Sequence, residues 1–100
     1  MAVLYISEYA FPNTTVSLNA GVAGEPSADQ TVAITAGSLQ STAFKGNTQM
    51  VRVHTDAICS VAFGTNPTAT ATTKRLAANS TEYFTVPSGQ AYKVAVITNT

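Results

Sequence analysis

Charged side chains are scarce in this chain: Lys and Arg number five, Asp and Glu five, and together they make up 10% of 100 residues. An average soluble domain carries about 25%. Tryptophan is missing, cysteine occurs once and histidine once. These shortages exclude several functions. With Cys59 alone there is no internal disulfide, and one His with one Cys falls short of the three or four side chains a metal site requires. The basic residues Lys45, Arg52, Lys74, Arg75 and Lys93 are scattered and offset by carboxylates. Nothing here forms the concentrated basic face on which nucleic-acid binding depends. Lys74-Arg75 reads as a solvated loop end.

No apolar run approaches the roughly 20 residues of a membrane-spanning helix. The opening Met1 to Ile6 is apolar but lacks a basic leader and is interrupted by Glu8, so it reads as a first strand rather than a signal segment. The Asn-x-Ser/Thr triplets at Asn13 and Asn79 would matter only in a eukaryotic secretory pathway.

What is abundant is the hydrophobic class, 45% of the chain, enough for the core of one folded domain over residues 1–100. Segments rich in Val, Ile, Thr, Tyr and Phe alternate with turn formers, which predicts strands over Val3 to Tyr9, Thr31 to Thr35, Gln49 to Thr55, Cys59 to Phe63, Thr81 to Val86 and Tyr92 to Thr98. Thr15 to Asn19 and Ser41 to Phe44 are weaker candidates. Period-two alternation places Val51 and Val53 opposite Arg52 and His54, Cys59, Val61 and Phe63 opposite Ser60 and Ala62, and Val94 and Val96 opposite Lys93 and Ala95. No comparable helical stripe exists. The expected fold is all-β: an antiparallel β-sandwich, jelly-roll-like, of six to eight short strands.

Two connections exceed hairpin length, Asn19 to Gln30 and Gly64 to Ser80. The second is nearly uncharged and rich in Thr and Ala. It reads either as an extended crossing between sheets, part of it pairing as an edge strand, or as a contact arm that orders against a neighbouring subunit.

Catalytic patterns are absent. His54, Asp56 and Cys59 are close in sequence, but Cys59 patterns with the inward Val61 and Phe63, and an apolar setting opposes thiolate character. Glu8, Glu25, Asp29, Asp56 and Glu82 are dispersed, with no acid pair of the glycosidase kind identifiable. No phosphate loop or nucleophile elbow occurs. The residues predict no enzyme, metal or cofactor. Tyr5, Tyr9, Tyr83 and Tyr92 are candidate sugar platforms, or rings packed at sheet edges with wet hydroxyls.

The segments Val51-Arg52-Val53, Asp56, Cys59 to Gly64, Asn66 to Thr70, Leu76, Glu82 to Val86, Gly89 and Lys93 to Ile97 resemble the small β-sandwich virion proteins of tailed bacteriophages. The resemblance covers about half the chain, and in size and composition it points towards capsid decoration, or cement, proteins. It implies a non-enzymatic protein made in the host bacterial cytoplasm that binds the outer surface of a phage head, with the major capsid protein or another virion protein as partner. Neck, tail or host-glycan and receptor-binding modules are the alternative. A nearly neutral surface also favours association, so a homo-oligomer is expected, with the trimer the favoured form. The expected subunit or capsid contacts are Val3, Leu4, Tyr5 and Ile6 in the first strand, and Asn66, Pro67, Thr68, Thr70, Thr72, Lys74 and Arg75 in the second long connection.

Overall fold

A computed structural model of the chain describes residues 2–10 and 28–100. Among these there is no helix. Eight strands form: β1 (Val3–Tyr9), β2 (Ala28–Ala33), β3 (Leu39–Gln40), β4 (Met50–Thr55), β5 (Cys59–Gly64), β6 (Lys74–Leu76), β7 (Ser80–Thr85) and β8 (Lys93–Thr98). They make two four-stranded sheets, in the orders β2-β1-β4-β7 and β3-β8-β5-β6. Every pairing is antiparallel.

Alternation in the sequence becomes a division between two faces. In the first sheet, Leu4 and Ile6 on β1, Val32 on β2, and Val51 and Val53 on β4 are buried; in the second, Cys59 and Val61, Leu76, and Val94 and Val96 are buried. These side chains belong to one cluster, closed at its margins by Ile34, Phe44 and Val86. Burying each aliphatic side chain contributes roughly 1.5–3 kcal/mol, so the shared interior holds the two sheets together. The Phe63 and Phe84 rings, one from each sheet, meet with centroids 4.8 Å apart and planes tilted by 46°. On the side where β6 and β7 lie, Lys74 Nζ reaches Glu82 Oε1 at 3.3 Å. Both side chains are substantially exposed, so this pair adds little stability.

The strand expected over Thr31 to Thr35 runs instead from Ala28 to Ala33, set by its register with β1, in which Ala28 faces Glu8 and Ala33 faces Val3. Ser41 to Phe44 is not a regular strand. It follows β8 through separate hydrogen bonds, Ser41 N to Val94 O and Phe44 N to Tyr92 O, both 2.8 Å, while the short β3 pairs just before it. The weak candidate Thr15 to Asn19, and most of the connection from Asn19 to Gln30, lie outside the described residues.

Ser60 and Ala95 turn away from the shared core, yet both are fully buried. Hydrogen bonds place a segment of the second long connection beside them. Gln40 Nε2 donates to Asn66 Oδ1 (2.9 Å) and to Pro67 O (2.8 Å), Ala69 N donates to Ser38 Oγ, and Asn99 Nδ2 donates to Ser60 Oγ (2.6 Å) and to Ala71 O. Residues 66–71 thus form a strap over the outer face of the second sheet, tied to β3 and the preceding Ser38 at one end and to Asn99 at the other. Beyond it, β6 pairs with β5 as an edge strand.

Candidate functional site

The residues expected to make contacts divide once the fold is known. Leu4 and Ile6 are 0% and 1% exposed, which corrects the contact reading for both: their side chains are core, and β1 has strands bonded along both edges. Tyr5, between them, faces outward and is 45% exposed; Val3 is half-buried. Pro67 is also corrected, because it is a buried member of the strap, as is Ala69. Asn66, Thr68 and Thr70 are exposed and alternate with the buried Pro67 and Ala69, so every second side chain from 66 to 70 faces outward; Ala71 and Thr72, in the turn that follows, are both exposed. Lys74 and Arg75 follow, both exposed. The far end of the strap runs into a bonded turn, in which Thr73 Oγ1 donates to Thr70 O (2.9 Å) and the hydroxyls of Thr70 and Thr72 share a 3.1 Å bond. Its uncharged outer row is therefore backed by bonded structure.

His54, Asp56 and Cys59 do not converge. His54 is on the outer face of the first sheet, where Nδ1 shares a 2.8 Å hydrogen bond with Thr81 Oγ1. Asp56 Oδ1 accepts a 2.8 Å bond from Val3 N, anchoring the start of β1. The fully buried Cys59 Sγ is 3.5 Å from Thr55 Oγ1. Among the described residues no three His, Cys, Asp or Glu side chains are grouped to hold a metal ion.

Burial pushes the Cys59 thiol above its ordinary value, the Thr55 hydrogen bond pulls it down, and the Asp56 carboxylate raises it again. A raised thiol value means that the folded state favours the neutral form. The sign follows: the associated stability is fully present below the unfolded thiol value and is lost as pH rises through the folded one. Alkylation of Cys59 in the native protein at pH 8 is expected to run at least ~100-fold slower than in the urea-unfolded chain, because the buried thiol lacks both access and thiolate. Equal rates in the two states would place Cys59 at the surface.

One groove, with a volume of about 670 Å³, lies on the outer face of the first sheet and is bordered by side chains of β1, β2 and β4. Strand register places it across two rows of outward residues, each of which continues past it onto β7. One runs Thr31, Tyr5, His54, Thr81; the other runs Asp29, Ser7, Arg52, Tyr83. Ser7 is the small member between larger neighbours, and this leaves the depression. Ser7 Oγ donates to Asp29 Oδ1 at 2.6 Å, and the Tyr5 and His54 rings lie tilted with centroids 6.3 Å apart. Tyr83, at the margin, is 59% exposed. Tyr5 and Tyr83, both singled out in the sequence, thus share one face. Arg52 was legible only as a scattered cation, since its place opposite Ser7 depends on pairing between strands distant in sequence.

Comparison with protein-family models, with curated proteins and with solved structures gives no match for this chain.

Proposed function

We propose that this protein is a non-enzymatic virion structural protein that docks onto the outer surface of a phage head through the strap, with the major capsid protein as partner. The supporting observation is the strap itself: a bonded segment lying on its own sheet, with Asn66, Thr68 and Thr70 exposed in alternation with the buried Pro67 and Ala69, and Thr72 exposed in the turn that follows. A row of short, uncharged polar side chains can enter a protein interface without the cost of stripping water from ions. Its hydrogen bonds to Gln40, Ser38 and Asn99 limit the ordering needed on binding.

The strand order supports a jelly roll. If β1 is counted last rather than first, the two sheets read first-last-third-sixth and second-seventh-fourth-fifth, the order of an eight-stranded jelly-roll sandwich with its final strand moved to the start. Such a scaffold positions contact loops without supplying chemistry, consistent with the separation of His54, Asp56 and Cys59. In this proposal the protein acts as a trimer, so that weak single contacts combine across one site on the shell.

The test is add-back of purified protein to head shells assembled without it. A variant with Thr68, Thr70 and Thr72 all changed to Lys is expected to bind about 100-fold more weakly or worse, since three ammonium groups would be desolvated without partners. Its thermal unfolding should stay near that of the parent, since the three positions are exposed and only the local Thr70–Thr72 bonds are lost while the ties to Gln40, Ser38 and Asn99 remain. Undiminished shell binding by the folded variant would remove the strap from the interface.

A further inference from the structure

From the groove on the outer face of the first sheet, we infer a binding site for an acidic saccharide, specifically a hexuronic acid residue of a glycan. The surface is separate from the strap, which covers the other sheet, so the inference does not depend on the docking proposal.

The argument starts from the row Asp29, Ser7, Arg52, Tyr83. Asp29 and Arg52 have opposite charges and flank Ser7 from the strands on either side of β1. Two strand spacings separate their backbones by roughly 10 Å, and they do not pair. Asp29 is instead bonded to the Ser7 hydroxyl, and Arg52 has no hydrogen-bond or ion-pair partner among the described residues. The groove therefore offers an acceptor at one side, an unused guanidinium at the other and a shallow floor between them.

A hexuronate has matching chemistry. Its carboxylate lies on one side of the sugar ring and hydroxyl groups lie across it. Arg52 presents a planar fork of donors suited to bidentate carboxylate binding. The remaining oxygen of Asp29 can accept from a ring hydroxyl. The exposed rings of Tyr5 and Tyr83 offer apolar faces beside Arg52, to which the C–H face of a sugar can pack while the tyrosine hydroxyls stay wet. A phosphorylated polymer fits less well, because this groove offers one cation with a carboxylate opposite it, not a basic track.

The test uses the intact, isotopically labelled chain without capsids, so its outcome is separable from that of the docking proposal. Methyl glucuronide and methyl galacturonide are titrated in parallel with methyl glucoside and with acetate, and amide chemical shifts are followed. One or both uronides should perturb residues around Ser7, Arg52 and Tyr83 with a dissociation constant on the order of 1 mM for a single ring. The glucoside and acetate should each bind about tenfold more weakly. Arg52→Gln should abolish the preference for uronide over glucoside, and Tyr83→Ala should weaken both sugars. Unshifted amides elsewhere would show that the variants remain folded. Absence of uronide-induced shifts in the groove, acetate binding as well as uronide, or an Arg52→Gln variant that retains the preference would each overturn the inference.

Discussion

Glu8→Ala is expected to destabilise the fold by about 3 kcal/mol, an effect usually associated with large core truncations. Glu8 continues the inward series Leu4, Ile6 and is only 2% exposed. Its Oε1 accepts from Lys45 N at 2.8 Å and Thr48 Oγ1 at 2.7 Å, and its Oε2 is 3.4 Å from Gln30 Nε2. One carboxylate therefore joins the end of β1 to the turn that leads into β4, and to β2. Alanine at this position would take the acceptor from the part-buried Lys45 amide and from the buried Thr48 hydroxyl, which for a buried group costs more than the bond itself contributes. For a domain of this size the melting temperature should fall by roughly 15 °C, and urea unfolding followed by circular dichroism gives the free energy directly. Glu8→Gln, which keeps an acceptor oxygen, should lose about half as much. A loss below about 1 kcal/mol for the alanine variant would mean that water replaces the carboxylate at that position.

Removal of residues 1–7 should have a still larger consequence: no folded population. The deletion takes away the strand between β2 and β4, together with Leu4 and Ile6. Truncating either side chain to alanine would cost about 2–5 kcal/mol, and a domain has about 5–15 kcal/mol in total. Loss of backbone pairing along both edges of β1 adds to that. The deletion is expected to collapse amide dispersion in the NMR spectrum, and a dispersed spectrum would show that the remaining strands rearrange into a stable sheet. Because unfolding accompanies the change, loss of capsid binding by such a truncation would say nothing about contacts made by the first strand.

Much of the strand layout was legible because period two is a local signal. Val51 and Val53, and Val94 and Val96, point inward as their alternation with polar neighbours requires, and β1 spans the predicted Val3 to Tyr9. The short β3 and β6 gave almost no periodic signal, being two and three residues long, and only their partners define them. The sequence also could not separate facing outward from being exposed: Ser60 and Ala95 alternate as outward residues, but the strap covers them. Glu8 was the most misleading position. Its charge marked the end of an apolar run, whereas in the structure the pattern continues through it, with the carboxylate satisfied by groups nearly forty residues away.

The candidate groove was less legible for the same reason. Tyr5 and Tyr83 could be recognised as possible platforms, but their shared face follows from β1 and β7 both pairing with β4. The site is a pair of cross-strand rows, and a single strand supplies only one member of each.

Strand order also bears on how the chain is made. The first strand waits for β4, emerging some forty residues later, to cover its second edge, while β8, the last strand, occupies an interior place in its own sheet. Neither sheet of the nascent chain can therefore be complete until β7 and β8 have emerged from the ribosome, and closure must wait for distant pairings that form slowly. Until then its sticky edges stay open, so coupling of synthesis rate to aggregation should be stronger here than in a protein whose neighbours in space are neighbours in sequence.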